Sequence, residues 1–211
     1  MGLFSRGSGS KEAGAAGSKK EIELSTNRLK PHFINNVLSS IYYLCETDSA
    51  RAQSITMALS GYLLGTLDTI DKHGLVPFSR ELDLIRNYIA LEKLRLEDKL
   101  LVQYDIDEDR FMVPSLTMQA LVENAVKHGI SEKNSQGRLQ LRTRRLADNG
   151  IQISIIDDGV GFDTAKGNTP DSELAFIQKR ISNEVNGKMV IESSPGEGTT
   201  ITITIPNAVQ T

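Results

Sequence analysis

Apolar residues recur at helical spacing once the chain has passed residue 20. The first stripe has them mostly three to five positions apart, at Ile22, Leu24, Leu29, Phe33, Val37, Leu38, Ile41 and Leu44. Pro31 interrupts this stripe and predicts a kink or a restart near Lys30. After a turn at 46–49, a second helix is predicted at about 48–70, with its apolar side at Ile55, Leu59, Tyr62, Leu63 and Leu67. Two antiparallel helices with one apolar seam each predict a homodimer, because a four-helix bundle would bury both seams.

After residue 74 the pattern alternates between helices and strands. One helix is predicted from Ser79, a good N-cap, and another from Pro114 in its first turn to His128, with Gly129 as its stop. A further helix is predicted at about 172–185. Strands with alternating apolar residues are predicted at 100–104, 139–143, 151–155, 188–193 and 199–205. This mixture predicts an α+β fold, in which a helical hairpin is followed by one sheet with helices on one face.

Composition and charge bear mainly on domain limits and partners. Residues 1–20 are rich in Gly, Ser, Ala and Lys and predict a flexible linker, followed by helices at 21–74 and a second domain at 75–208. The net charge of -3 gives no indication of a basic surface, so no nucleic acid partner is expected. The single cysteine, Cys45, excludes an intrachain disulfide and favours a cytoplasmic location. No apolar run approaches the length of a membrane span, so we expect any membrane sensor to precede residue 1.

One predicted helix carries a polar face with chemistry suited to a metal and a phosphate. Asn124, Lys127 and His128 stand at i, i+3 and i+4, and Glu123 lies beside them. Asparagine offers an oxygen to a hard cation, and lysine supplies a point charge for phosphate. The alternative is an ordinary amphipathic helix with a solvated polar face.

Two glycine-containing turns could border a ligand. Asp157 ends a predicted strand and could accept a hydrogen bond from an exocyclic amine, while Gly159 and Gly161 would let backbone approach the ligand closely. Near the end of the chain, small residues and a hydroxyl stand at Gly196, Gly198 and Thr199. Taken alone, the first segment also reads as a simple turn and the second as a hairpin loop.

A histidine in the first helical stripe is the candidate nucleophile. His32 follows Pro31, and an imidazole is largely neutral at cellular pH and can attack an electrophile. Asn36 shares the same helix face at i+4 and could orient the ring. The alternative is a polar histidine on a helix surface.

Four segments in this order resemble the LytS/YehU-type sensor histidine kinases. The first is similar to that family's phosphoacceptor box, the second to its asparagine box, and the last two to its first and terminal glycine boxes; they read LKPHFINNVLSSI, VPSLTMQALVENAVKHGI, IDDGVGFD and SSPGEGTTITITIP. The stretch at 76–100 also resembles the helix that joins the two parts of such kinases. The resemblance covers about residues 24–206, and four ordered matches are far more specific than any one.

The resemblance implies a fold, a reaction and a set of roles. The fold is the two-layer α/β sandwich of the GHKL (Bergerat) ATPases, with a mixed, mostly antiparallel sheet, and residues 75–208 would be the ATP-binding catalytic domain. Asn124 would hold Mg²⁺, Lys127 and His128 would face the phosphates, and Asp157 would bind the adenine amino group. The glycines of the two turns, with Thr199, would shape the same pocket. His32 would be phosphorylated by ATP and would pass the phosphoryl group to an aspartate in a response-regulator receiver domain.

The chain departs from the family pattern in two places. The second glycine box, close to G-x-G-L-x-N, is aligned with Asp171–Phe176, where both glycines and the asparagine are missing. Asp171 and Glu173 bring negative charge near a triphosphate, which predicts weaker ATP binding or a lid held differently. Asn35 also replaces the usual aromatic residue of the histidine box. Glu123 is the candidate for orienting or deprotonating His32.

Three functions compete at this stage. The first is an active histidine autokinase, and the second is a degenerate kinase that acts as a dimeric, partner-binding signalling module. The third is a serine-directed kinase of the anti-sigma-factor type, which shares the ATPase fold. The histidine box and its helical pair argue against the third function, and the missing lid glycines favour the second.

Overall fold

The helical pair stands at the start of the computed structural model, which describes residues 31–71, 74–164 and 172–206. Helix α1 spans Pro31–Thr47 and helix α2 spans Ser49–Asp71, as the sequence predicts. The predicted linker at 1–20, the helical stripe before Pro31 and the kink near Lys30 lie outside the described residues. No helix in the described part of the chain is long and apolar enough to cross a membrane.

The helical pair packs on a third helix, α3, which spans Phe78–Leu96. Two glycines on α2 allow this close approach: a Cβ atom at Gly61 would lie 2.6 Å from Asn87, and one at Gly65 would lie 2.3 Å from Leu84. The aromatic rings of Phe33, Tyr62 and Tyr88 then meet, with centroids 5.8 to 6.2 Å apart. Part of the apolar seam is therefore buried within one chain.

A five-stranded sheet forms the second part of the molecule. Its strands are β2 (Leu100–Ile106), β4 (Gly137–Arg145), β5 (Ile151–Asp157), β6 (Lys188–Ser194) and β7 (Gly198–Ile205), in the spatial order β2-β4-β5-β7-β6. The pairing of β2 with β4 is parallel and the other three pairings are antiparallel. The prediction of a mixed, mostly antiparallel sheet is confirmed.

Helices cover a single face of this sheet. Helix α4 spans Thr117–Asn124 and continues as a π-helical segment, Ala125–Ile130, and α5 spans Glu173–Val185. Alternate residues of the central strands are buried beneath them, and these include Leu139, Leu141, Ile153, Ile155, Ile201 and Ile203. Their neighbours on the other face are mainly polar, so the two-layer sandwich is confirmed.

Two predicted helix starts and one predicted stop are wrong. Helix α3 begins at Phe78, and Ser79 lies inside it without capping it, since Pro77 holds the N-cap position. Pro114 ends a short strand, β3 (Met112–Pro114), which pairs with β1 (Leu75–Pro77). Gly129 does not end the helical segment, which runs on to Ile130.

Candidate functional site

A cavity of about 510 Å³ lies between the first turn of α5, the end of α4 and the ends of strands β5 and β7. We call it the Asn124 cavity. Of the residues predicted to bind a nucleotide, its walls include Asn124, His128, Asp157, Gly161 and Thr199. Helix α4, which ends at Asn124 and which we call the asparagine helix, therefore borders the same cavity as Asp157 at the end of β5, although the two are far apart in sequence.

Asp157 forms part of the wall of the Asn124 cavity and is almost fully buried. Its Oδ1 accepts a hydrogen bond of 2.9 Å from the Gly159 N–H. Burial raises the pKa of Asp157 to about 6, although the Gly159 N–H opposes the shift by stabilising the carboxylate. A ligand group that donates a hydrogen bond to this carboxylate would satisfy a partly desolvated charge.

The glycines near Asp157 act through close backbone approach. A Cβ atom at Gly159 would lie 2.3 Å from the carbonyl carbon of Gly129, and a Cβ atom at Gly198 would lie 2.1 Å from the Asp157 carbonyl oxygen. Neither Gly159 nor Gly198 lines the cavity. Gly159 instead lets the turn after β5 lie against the π-helical segment, and Gly198 lets the start of β7 lie against the end of β5.

Gly161 and Gly196 differ in what they contribute. Gly161 lines the cavity, and a Cβ atom there would lie 2.1 Å from the Ser194 carbonyl oxygen. Gly196 has a φ of +87° with open space around it, and its N–H donates a hydrogen bond of 2.6 Å to the Val160 carbonyl oxygen. Gly196 therefore joins the turn between β6 and β7 to the segment after β5 and does not line the cavity.

The polar residues of the asparagine box are divided between two cavities. Asn124 and His128 face the Asn124 cavity, whereas Glu123 and Lys127 line a second cavity of about 640 Å³. The structure does not bring Lys127 into the cavity of Asn124 and Asp157. The residues that share a cavity are four positions apart in each case, and Lys127, three positions after Asn124, belongs to the neighbouring face.

The second cavity contains the candidate nucleophile, and we call it the His32 cavity. It lies between α1, α3 and α4, and its walls include His32, Asn36, Glu123 and Lys127. The Asn36 Nδ2 lies 3.3 Å from the His32 Nδ1, as the i+4 spacing predicts. The predicted catalytic residues thus share a space that is distinct from the Asn124 cavity and meets a neighbouring face of the same helix.

Glu123 is engaged by two neighbours in the His32 cavity. Its Oε1 accepts a hydrogen bond of 2.8 Å from the Gln119 Nε2 and a longer one of 3.4 Å from the Tyr62 hydroxyl. Tyr62 belongs to α2, so this contact links the helical pair to the asparagine helix. Close by, burial raises the pKa of Tyr88 well above its ordinary value, and the carboxylates of Glu92 and Glu123 add to the shift.

The first residue of α5 brings a carboxylate to the Asn124 cavity. Glu173 lines this cavity, and its Oε2 lies 3.5 Å from the Asn124 Nδ2, in a long hydrogen bond. The side chain of Ser172 caps α5 by accepting a hydrogen bond of 3.1 Å from the Ala175 N–H. Asp171, the other acidic residue of the degenerate glycine box, lies outside the described residues.

Sequence reasoning missed Glu81, which positions the asparagine helix. Its carboxylate on α3 is fully buried and accepts hydrogen bonds of 2.7, 3.1 and 3.1 Å from the N–H groups of Leu116, Met118 and Gln119. These donors form the start of α4, which has no capping side chain of its own. The signal in the sequence is a glutamate at the helical spacing of apolar residues on α3, three positions after Phe78 and four before Ile85.

Comparisons with known proteins agree with this arrangement. Residues 20–100 match the family model described as histidine kinase, and residues 114–209 match that of the histidine kinase-, DNA gyrase B- and HSP90-like ATPases. The histidine kinase domain of the blue-light activated kinase EL346 from Erythrobacter litoralis has a TM-score of 0.51 at 17% identity, covering 92% of this chain and 94% of that one. That similarity supports the fold alone.

Curated relatives include both a short protein and longer sensors. YwpD of Bacillus subtilis is 31% identical over 202 residues, which cover 89% of this chain and 70% of that protein. Sensor histidine kinase YpdA of Escherichia coli is 34% identical, over 69% of this chain and 26% of its own length. Sensor protein LytS of Staphylococcus saprophyticus is 27% identical, over 88% of this chain and 34% of its own length.

The chain thus spans about a quarter to a third of those two sensors. The two family models lie in series and together take in most of the sequence. These matches show that the chain belongs to the histidine kinase family, as a LytS-type sensor histidine kinase transmitter with a GHKL-type ATPase domain.

Proposed function

We propose that this chain transfers the γ-phosphoryl group of Mg²⁺-bound ATP to His32 and then to an aspartate of a response-regulator receiver domain. One observation carries the proposal: Asn124 and Asp157 border one cavity, while His32 lines a second cavity that meets a neighbouring face of the same helix at Glu123 and Lys127. The asparagine helix could therefore respond to nucleotide on one face and to the nucleophile on the neighbouring face.

The residues of the Asn124 cavity suit ATP. The carboxylate of Asp157 would accept a hydrogen bond from the adenine amino group, and Gly161 and Thr199 would border the base. The Asn124 side chain offers an amide oxygen to a hard cation, and His128 lies one turn further along. Bound Mg²⁺ would neutralise charge on the phosphates, which is the main requirement of phosphoryl transfer.

His32 would act as the nucleophile through Nε2. Asn36 lies beside Nδ1, and an amide can either donate or accept. Rotation of the Asn36 amide, so that its oxygen accepts from Nδ1–H, would leave the lone pair of Nε2 free to attack phosphorus. Glu123 shares the cavity and would orient the ring or take up a proton.

Phosphoryl transfer in this arrangement requires movement or a partner. Because the two cavities are distinct, the helical pair would have to shift on the ATPase domain, or His32 of a second protomer would have to reach the nucleotide. Lys127 lines the His32 cavity and would meet the phosphoryl group there.

Radiolabelled ATP tests the proposal directly. We expect the wild-type chain to take up label from γ-³²P-ATP that is labile to acid and stable to alkali, and we expect His32→Ala and Asn124→Ala to lose it. Asn183→Ala, an exposed asparagine on α5, is the matched control and should keep the label. Absence of label in a folded wild-type dimer would favour the non-enzymatic signalling module.

Glu123 is tested separately from the rest of the site. We expect Glu123→Gln to slow labelling of His32 without weakening nucleotide binding, since Glu123 lies outside the Asn124 cavity. Unchanged labelling in Glu123→Gln would remove the proposed role of this carboxylate.

The partners are part of the same proposal. A receiver domain would accept the phosphoryl group, a second copy of the chain would pair through α1 and α2, and a sensor region would control the cytoplasmic transmitter. The greater length of the LytS and YpdA relatives supports a further sensor region. Phosphoryl transfer from the labelled chain to a purified receiver domain, and its loss when the receiver aspartate is replaced, tests the first of these.

A further inference from the structure

Glu173 stands at a position where its charge should matter for the bound nucleotide. It is aligned with the second glycine of the family's lid motif, and its carboxylate lies at the edge of the Asn124 cavity. Asp157 and Glu132 also line this cavity, and no lysine or arginine is found among its described lining residues. A triphosphate entering this space without a cation would meet mostly negative charge.

We propose that Glu173 is a second protein ligand of the divalent cation that accompanies ATP, beside Asn124. The inference rests on the proposed function and adds to it a residue that the family motif does not supply. Asparagine and glutamate both offer hard oxygen atoms, the donor type that Mg²⁺ prefers. Without the cation, the Glu173 carboxylate would repel the phosphates. With the cation present, the same carboxylate would bind it and so help to hold the nucleotide.

The distance between the two side chains supports this role. The Glu173 Oε2 lies 3.5 Å from one terminal atom of the Asn124 amide. Two oxygen ligands at neighbouring corners of a Mg²⁺ octahedron, each about 2.0–2.1 Å from the ion, lie about 2.9 Å apart. Rotation of the amide, with a shift of about 0.6 Å, would therefore let a cation replace the present N–H contact.

The position of Glu173 in its helix also favours a fixed carboxylate. It is the first residue of α5, directly after the N-cap Ser172, so the helix start determines where its side chain begins. Arg180, two turns along the same helix, donates a hydrogen bond of 2.6 Å to the Ser115 carbonyl oxygen and helps to anchor α5 near the start of α4. The carboxylate is consequently delivered to Asn124 by packed secondary structure.

Nucleotide affinity with and without metal tests the proposal. The affinity of a non-hydrolysable ATP analogue, AMPPNP, would be measured by calorimetry in excess Mg²⁺ and in EDTA. For the wild type we expect a large gain from Mg²⁺. In Glu173→Gly and Glu173→Gln this gain should fall about tenfold, equivalent to about 1.4 kcal/mol, while the affinity in EDTA should rise because a negative charge is gone.

Mn²⁺ provides a readout that does not depend on activity. Electron paramagnetic resonance of free Mn²⁺ would report how tightly the chain with AMPPNP holds the ion, and both variants should hold it less tightly. Glu192→Gln, which removes a charge from an exposed residue of β6, is the matched control and should behave as the wild type.

Two outcomes would contradict different parts of the proposal. If both variants kept the full gain from Mg²⁺ and the wild-type affinity for Mn²⁺, Glu173 would be no ligand and would merely repel phosphate. If neither the wild type nor any variant bound AMPPNP, the proposed nucleotide site itself would fail, whatever the role of Glu173.

Discussion

Single side chains in this molecule acquire their chemistry from their surroundings, and Asp157 illustrates this. A buried carboxylate is costly unless hydrogen bonds or charges compensate it, and here the Gly159 N–H compensates only in part. The pKa of Asp157 is therefore raised to about 6, from an ordinary value near 3.8. The same incomplete compensation would make the carboxylate a strong acceptor for an amino group.

The raised pKa predicts opposite effects of acid on stability and on binding. Because the folded state takes up the proton more readily than the unfolded state, the contribution of Asp157 to the free energy of unfolding should rise as pH falls from 7 through about 6. AMPPNP affinity should fall over the same interval, since a protonated carboxyl is a weaker acceptor. Urea unfolding and calorimetry at several pH values would measure both quantities.

Asp157→Asn is the control for this pH dependence. Its difference in unfolding free energy from the wild type should shrink as the pH falls from 7 to 5, because the wild-type side chain becomes neutral too. The lowered pKa values of Glu108 and Asp105 affect stability only in more acidic solution. A constant difference between pH 7 and pH 5 would contradict the assigned pKa.

At the scale of elements, the asparagine helix depends on a carboxylate from another helix. The start of α4 follows Leu116, whose φ of +59° prevents a regular helical entry, and no local side chain caps it. Glu81 satisfies three N–H groups there from α3. Helix α3 follows the helical pair in sequence, so it joins that pair to the helix that carries Asn124.

Removal of the Glu81 carboxylate should be strongly destabilising. In Glu81→Ala, three buried N–H groups would lose their acceptor, and we expect a loss of about 3 kcal/mol or more in the free energy of unfolding. Glu81→Gln keeps one acceptor oxygen and should lose less. Chemical denaturation would measure both, and Asp83→Ala, an exposed residue on the same helix, should change stability by less than about 0.5 kcal/mol.

The arrangement of the whole molecule leaves an apolar surface on the helical pair. Packing on α3 buries Val37, Ile55 and Leu59, yet Tyr42 on α1 and Leu64 on α2 stay mostly exposed. Leu38, Met57 and Leu67 are also at least 49% exposed, and spacings of three, four and seven residues put these side chains on continuous helix faces with Tyr42 and Leu64. We expect this surface to form the homodimer interface.

Oligomeric state tests this surface. Leu64→Glu would place a charge in the middle of the apolar face, and dimerisation would bury that charge without an opposite charge beside it. We therefore expect this variant to shift towards monomer in analytical ultracentrifugation. Leu101→Glu is the matched control, because Leu101 lies on a sheet strand and is also partly exposed. Dimerisation that survived Leu64→Glu, with the fold intact, would argue against pairing through this face.

The sequence by itself determined much of this protein. The apolar periods predicted both helices of the pair and all five strands of the main sheet, because each element must bury one face whatever its neighbours are. Ordered motifs predicted that Asn124, Asp157 and Thr199 would meet. Local signals failed at Ser79 and Pro114, two residues of types that suit a helix start. Ser79 lies inside a helix, and Pro114 lies at the end of a strand.

Only the tertiary structure decided how the polar residues are shared between sites. Asn124 and Lys127 are three positions apart, a spacing that predicts one shared helix face, and the surrounding elements place them in different cavities. The contacts of Glu81 and Glu173 join residues at least 35 positions apart in sequence. A hydrogen bond requires two atoms to lie close in space, and no period in the sequence reports which distant residues will do so. Such pairings are therefore decided by how the helices pack on one another and on the sheet.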